Sequence, residues 1–489
     1  MTGKYLLFSI GLLSCFVVPM RADAGNSCTV GVANGYVTVD GRPLFWKVGD
    51  TSDVRQQLVY ISGSPYDYIG VRSEGGPIFT GLNEAGIASG NSRVSTPGGA
   101  ATNSALQRHI WENFSSLDQI RDYIEEEVGL GNCNASGCFP FIDVDGNAII
   151  FEVNRSNWWL EYDSMDPDRE GQGLLGFVVR ANGFHQHTDG TDDTNIGSRY
   201  KSGTYNISGL VGIDMLSAGT VFQGNDGPNS GFEFARYGPG RPLATISRNT
   251  TVQVTVVHGV GPKEDPALAT AWVILGQSNY GIAVPAWVRV SDIPQCLSSG
   301  DMYDRAKSLY NKGNEVITQA SIFPVEAHML NTVTDTFLPH WRAEGVPSVA
   351  EMTRIEHQMA EDAYSLLDCL DNRQSDNKAP DVDFSIFPHE STIHFELIAS
   401  DTDGTIDTVE WCFGDGQNSS ESSPIHTYVT PGTYLISCTV TDDDGVSITD
   451  WRYCIVPVNC ELTGDEVGNF LDFAEFAPHW LETPCGKPN

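Results

Sequence analysis

Cys28 is the residue of this chain best placed to do chemistry. It follows Gly25-Asn26-Ser27, a run of small residues at the end of a stretch that reads as a cleavable leader. Cut there, the chain begins with cysteine, and a terminal cysteine carries its own base. The α-amine, with a reference pKa of about 8, is partly neutral near neutral pH and can take the thiol proton before sulfur attacks a carbonyl carbon. Lys47, as a nearby cation, would favour the thiolate. Asp50 would orient the α-amine by accepting its hydrogen bond. The tetrahedral intermediate then needs an oxyanion hole, for which asparagine amides are suited. The predicted chemistry is therefore nucleophilic attack of a thiolate on a carbonyl carbon.

These groups need a hairpin to meet. The run Cys28 to Asp53 supplies one: a β-branched apolar segment, a turn at Asp40-Gly41, and a second strand-like segment from Pro43 to Val48, with Lys47 and Asp50 at its end. Further on, Ser104 to Asn113 and Leu117 to Val128 read as helices. Ser116 with Gln119 forms a capping box, and Leu117, Ile120, Ile124 and Val128 share one face. Phe141 to Val153 is predicted as a hairpin about Asp145-Gly146. Leu174 to Arg180, Val252 to His258 and Ala271 to Leu275 are predicted as strands. Strands, then helices, then strands imply layered sheets flanked by helices.

Composition narrows the partners. The 489 residues allow two or three domains, and 40% hydrophobic against 19% charged residues describes a globular chain. The net charge of −35, from 28 basic and 63 acidic residues, argues against nucleic acid and anionic membrane as partners. Residues 1–27 carry Lys4, an apolar run from Tyr5 to Met20, and the Ala22-Asp23-Ala24 cleavage pattern, so export is expected, to an extracellular or periplasmic location. Cleavage after Ala24 would leave three residues still to be removed. A lipoprotein reading at Cys15 is disfavoured because apolar residues continue beyond it. Export with eleven cysteines predicts disulfides, and Cys133–Cys138, Cys296–Cys369 and Cys460–Cys485 are the expected pairs. His185-Gln186-His187 with Asp189, Asp192 and Asp193 has metal-like spacing, but its Gly/Thr/Asp-rich context reads better as a substrate-lining loop.

The opening stretch resembles the N-terminal nucleophile hydrolases, in the branch of choloylglycine hydrolases, acid amidases and penicillin acyltransferase-like proteins. Cys28-Thr29 and Asp40-Gly41 match that family's opening motifs, and Lys47-Val48-Gly49-Asp50 stands where it has Arg-Asn-x-Asp. Gly81-Leu82-Asn83-Glu84-Ala85-Gly86-Ile87 is similar to its Gly-Met-Asn-Glu-x-Gly-Leu; Arg180-Ala181-Asn182 and Ser198-Arg199-Tyr200 follow in order. The resemblance covers about residues 28–290. It implies an α+β fold with an αββα sandwich, no cofactor, and cleavage of a linear amide in a small N-acyl or short peptide substrate. It implies catalytic roles for Cys28, Lys47, Asp50, Asn91, Asn182 and Arg199, with the two asparagines as oxyanion donors and Asn83 a turn residue. Lys47 keeps the charge of the family's Arg but not its fork, and Val48 replaces its Asn. A dipeptidase, an acyltransferase and a non-catalytic surface-adhesion protein stay open as alternatives.

Residues 299–375 are predicted as a helical extension of the 28–298 domain, with helices at Met302 to Val316 and Val349 to Leu370. After a polar linker, Trp411-Cys412-Phe413-Gly414-Asp415-Gly416, His426-Thr427-Tyr428 and Val440-Thr441-Asp442-Asp443-Asp444-Gly445 closely resemble a PKD domain over 379–458. That implies an Ig-like β-sandwich, acting as a spacer or as a cell-surface or polysaccharide contact. Residues 459–489 resemble half of a dockerin repeat, with Asp465 and Asp472 as the calcium candidates and Glu466 in place of the central glycine.

Overall fold

The computed structural model describes residues 28–51, 54–94, 102–155, 158–165, 176–182, 250–313, 315–372 and 376–457. The expected leader, the His185 to Asp193 segment, Arg199, the expected Cys460–Cys485 pair and the tail with Asp465 and Asp472 lie outside them.

The predicted opening hairpin forms from β1 (Thr29–Ala33) and β2 (Leu44–Asp50), paired antiparallel with Val30 opposite Lys47. The strand continues through Asp50, so both Lys47 and Asp50 lie within it. Gly41 sits at φ +77° in the connecting turn, a backbone conformation that favours glycine. Gly31 is required for packing: a Cβ there would lie 2.2 Å from the Trp46 ring.

Then follow β3 (Gln56–Ile61), β4 (Tyr68–Ser73), β5 (Ile78–Asn83), β6 (Ala88–Gly90), β7 (Ser92–Arg93), α1 (Asn103–Asn113) and α2 (Leu117–Gly129). Leu117, Ile120, Ile124 and Val128 are buried as expected. The cap is displaced by one residue. Ser116 accepts from the Gln119 backbone N–H, while the Gln119 side chain accepts from Ser115 N. After these come β8 (Gly137–Ile142), β9 (Ala148–Asn154), β10 (Trp158–Asp163), β11 (Phe177–Arg180), β12 (Thr251–His258), β13 (Thr270–Leu275) and β14 (Val284–Ala286).

Among the described residues, one sheet has the order β11-β1-β2-β12-β13-β14. The second runs β10-β9-β8-β6-β5-β4-β3, with β7 joined to β8. The sheets face each other across a core that includes Val30, Phe45, Val71, Ile142, Ile150 and Val257. Helices α1 and α2 cover the outer face of the second sheet through a separate cluster with Phe139, Phe141, Phe151 and Val153.

The helix α3 (Gln295–Ser298) packs against β3 at the edge of the second sheet, and the outer face of the first sheet is covered by a layer of α4 (Asp301–Lys312), α5 (Glu315–Asn331), a π-helical turn at Thr332–Phe337, α6 (Leu338–Glu344) and α7 (Val349–Asn372). This is the αββα arrangement expected. The helix predicted from Met302 to Val316 is in fact two, because Gly313 at φ +78° caps α4. The buried Glu356 of α7 accepts from Trp287 N at 2.9 Å just past β14, and burial pushes its carboxyl well above the usual range. Leu366, Leu367 and Trp341 join the core that runs to the strands of the first sheet.

The chain ends its described part in an all-β sandwich. One sheet is β15 (Asp381–His389), β16 (Thr392–Ser400) and β19 (Ile425–Thr427). The other has β17 (Ile406–Cys412) between β18 (Asn418–Ser419) and β20 (Gly432–Asp442), with β21 (Ser447–Val456) at its edge. The Trp-Cys-Phe-Gly-Asp-Gly motif folds against His-Thr-Tyr. His426 stacks on Phe413 at 4.2 Å and meets Asp415 at 2.8 Å, and Tyr428 donates to the Phe413 carbonyl. The sandwich is fused to the helical layer through β21. Asp362 accepts from Thr449 N at 2.9 Å, Ser365 from Ser447 N at 3.1 Å, and Trp451 lies edge-on to Phe337.

Two expected disulfides do not form: Cys133 and Cys296 carry thiols. Cys138 points into the core between the sheets, whereas Cys133 packs with the cluster on the opposite side of the second sheet. Cys296 Sγ lies 3.7 Å from the carbonyl of Ala360. Cys369 is nine residues further along the same helix, ~13 Å away at helical rise and out of bonding range.

Candidate active site

Strand pairing alone brings the site together. Cys28 immediately precedes β1, the strand between β2 and β11. Val30 faces Lys47 on one side and Arg180 on the other. Extending those registers by two residues sets Cys28 beside Gly49 and beside Asn182. Side chains two apart on a strand share a face, so Cys28 and Lys47 both project between the sheets. Gly90 on β6 leaves the room they need, since a Cβ there would come within 3.1 Å of the Lys47 stem.

The backbone nitrogen of Cys28 donates to Asn182 Oδ1 at 2.5 Å. The Asn182 amide is fixed from its other end, donating through Nδ2 to the Arg93 carbonyl at 2.8 Å. Ser92 Oγ donates to the Cys28 carbonyl at 3.3 Å. Cys28 is thus held at both its nitrogen and its carbonyl by groups from β7 and just past β11.

Lys47 is buried, donates to the Phe79 carbonyl at 3.2 Å, and lies over the Phe79 ring. Burial pulls its ammonium below the ordinary lysine value, while the charges of Cys28 and Asp50 act in the opposite direction. Asp50 is also buried and accepts from Thr251 Oγ1 at 2.6 Å. Asn91 donates through Nδ2 to Gln107 on α1, and an amide has a second N–H to offer. A cavity of ≈ 240 Å³ connects these groups; Cys28, Lys47, Asp50, Asn91, Arg93 and Val252 are among its walls.

Five of the six site residues expected from sequence lie in or against this cavity. Arg199 is outside the described residues. Asn83 is structural, as expected: its side chain donates to the Trp111 and Phe114 carbonyls and accepts from Ile87 N. Sequence reasoning missed Ser92, Arg93, Gln107 and Thr251. It also missed the buried ion pair that ties the sheets behind Asn182, Arg180 with Glu152 at 2.6 Å, with Arg180 over the Tyr162 ring. Among the described residues, no group of three or more His, Cys, Asp and Glu is placed to hold a metal ion.

Comparison with known proteins divides along the chain. Residues 377–454 match the family model of the PKD domain. The pre-pro-metalloprotease PrtV of Vibrio cholerae is 35% identical over 92 residues, covering 19% of this chain and 10% of that protein. This chain therefore spans about a tenth of the length of that curated relative. Penicillin V acylase from Agrobacterium tumefaciens aligns at 14% identity over 53% of this chain and 86% of its own, with a TM-score of 0.35. The Caenorhabditis elegans ortholog of N-acylethanolamine-hydrolyzing acid amidase aligns at 15% identity over 47% of this chain and 92% of its own, with a TM-score of 0.34.

Proposed function

We propose that the chain is an exported N-terminal cysteine amidohydrolase that cleaves a linear, non-peptide or N-acyl amide through an acyl-thioester on Cys28. The observation that carries this reading is the bond from Cys28 N to Asn182 Oδ1, in a cavity shared with Lys47, Asp50 and Asn91. A main-chain nitrogen held this way, on the residue whose thiol would react, is an amine prepared to serve as base.

In this mechanism the neutral α-amine takes the Cys28 thiol proton and sulfur attacks the amide carbonyl. The free N–H of Asn91 stabilises the oxyanion. Collapse of the tetrahedral intermediate breaks the C–N bond, the α-ammonium protonates the departing amine, and a thioester remains. Water, activated by the same α-amine, then releases the acid. Lys47 stabilises the thiolate from the buried face, and Asp50 holds Lys47 charged against the pull of burial. Asn182 takes the amine-orienting role that the sequence reading gave to Asp50. Arg199 keeps its expected supporting role. Water is the abundant acceptor outside a cell, which favours hydrolysis over transfer to another amine. The PKD domain would contact a cell surface or polysaccharide.

Two measurements test this together. The mature N-terminus is read by Edman degradation and intact mass, with Cys28 expected first. Turnover of an N-acyl amide panel is then compared with that of Cys28→Ala, which is expected to lose at least ~10³-fold. A mature chain beginning upstream of Cys28, or undiminished turnover in the variant, overturns the mechanism.

A further inference from the structure

Asn91, the proposed oxyanion donor, is held from behind by a helix. We propose that Gln107 of α1 is a positioning residue: its side-chain oxygen clamps Asn91 Nδ2 and so sets the direction of the second Asn91 N–H. This rests on the reading above, with Cys28 the nucleophile and Asn91 donating to the oxyanion.

Helix α1 is fixed to the second sheet along one line. Asn103, Gln107 and Trp111 are spaced four residues apart and share a face. At the first of them, Asn103 Nδ2 donates to the Ser136 carbonyl at 2.9 Å, and Asn103 Oδ1 accepts from Ser136 N at 2.8 Å. At the far end, Asn83 Nδ2 donates to the carbonyls of Trp111 and Phe114 at 3.0 and 2.9 Å. The Trp111 ring rests on β5 at Gly81, where a Cβ would come within 3.1 Å of it. Gln107 is the middle position. It is fully buried, and its Oε1 accepts from Nδ2 of Asn91, which lines the Cys28 cavity. Among the described residues this is the only hydrogen bond that either side chain makes.

The other end of the Gln107 amide shows what the residue is for. Its Nε2 is buried and has no partner among the described residues. An unpaired buried donor is destabilising. The buried residues beside it on α1 include Leu106, Ile110 and Trp111, a setting in which leucine would pack without that penalty. What glutamine supplies and leucine cannot is an acceptor. An amide is planar, so holding one N–H of Asn91 fixes the direction of the other. Without the clamp, Asn91 can turn its Oδ1 toward the developing oxyanion and repel it. Donors aimed in advance act on the transition state. Loss of aim therefore falls on the chemical step, and not on the thiol or on folding.

The test compares the full mature protein with Gln107→Leu, which lacks the acceptor, and Gln107→Glu, which keeps it. Three quantities are measured: turnover of the N-acyl amide panel, the rate of Cys28 alkylation by iodoacetamide, and the urea denaturation midpoint. Alkylation displaces iodide from carbon and forms no oxyanion. We expect Gln107→Leu to lower kcat at least ~10-fold with a smaller change in KM, and Gln107→Glu to keep at least about one third of wild-type kcat. The alkylation rate and the midpoint of Gln107→Leu should not fall. Wild-type kcat in Gln107→Leu, or a Gln107→Glu as slow as Gln107→Leu, overturns the inference and leaves the nucleophile assignment standing. So does a Gln107→Leu that loses midpoint, alkylation and turnover together, which is the mark of a purely structural role. A Cys28 that iodoacetamide does not modify in the folded mature protein overturns the reading beneath it.

Discussion

Asp362 offers a prediction whose size can be worked from the structure. Its carboxyl is buried between α7 and the β-sandwich, with Oδ2 accepting from Thr449 N and Oδ1 from Gln358 Nε2 at 2.8 Å. Burial raises its pKa from 3.8 to about 7, with the neighbouring Glu361 adding to the rise and the two hydrogen-bond donors opposing it. A raised folded-state pKa means that the folded protein holds the proton more tightly than the unfolded chain does. Below pH ~4 both states are protonated and the shift has no effect. As pH rises from there to about 7, the unfolded chain ionises first and stability falls. The loss amounts to about three pH units at ~1.4 kcal/mol each, or ~4 kcal/mol, and levels off above pH 7. Asp362→Asn removes this dependence. The asparagine oxygen can still accept from Thr449, and Gln358 can turn its amide to meet the new N–H, so the direct cost should not exceed ~1 kcal/mol. The variant is therefore expected to be about 3 kcal/mol more stable than wild type at pH 8, and equal or slightly less stable at pH 4. Urea denaturation at both pH values, followed by tryptophan fluorescence, measures this, with Trp451 and Trp341 lying at the contact in question. A stability difference that does not change with pH would refute the reasoning.

Other expectations follow from the same contacts. Asn182→Ala should lower kcat about 10²-fold, because it frees the Cys28 nitrogen while leaving thiol and cavity in place; stopped-flow acylation with wild-type rates would show that the bond has no catalytic part. Gly31→Ala should destabilise by ~1–3 kcal/mol through overpacking against Trp46, read as a drop in the denaturation midpoint. Together with the loss expected for Cys28→Ala, these separate the reacting group, its positioning and the packing of the strand that carries it.

Much of this architecture can be read from local sequence, and the exceptions have physical reasons. The opening hairpin, the buried face of α2 and the Trp-Cys-Phe-Gly-Asp-Gly loop are specified by residues close together in the chain. The helix α5 is not, because an apolar run containing Pro324 has no polar face to give it a period. The pairing of Cys133 with Cys138 fails because strand β8 carries Cys138 to the far side of a sheet, which spacing along the chain cannot reveal. Asn91 and Asn182 were reached through ordered motifs. Gln107, Thr251 and Arg93 were not, since each matters through a neighbour 16 to 201 residues away or through the cavity it faces. The motif predicts that Asn182 donates to substrate; in the structure its Oδ1 accepts from the Cys28 nitrogen, a contact set by the register between β1 and β11.

The seam along β21 also bears on how such chains can be assembled over time. A transferable module keeps an outer surface indifferent to its neighbour, so that it can be inserted beside any partner. In this sandwich Leu435, Val446, Ile448 and Trp451 belong to the same apolar cluster as the helices and the strands of the first sheet. In this chain a cut placed between the helices and the sandwich would divide one apolar core.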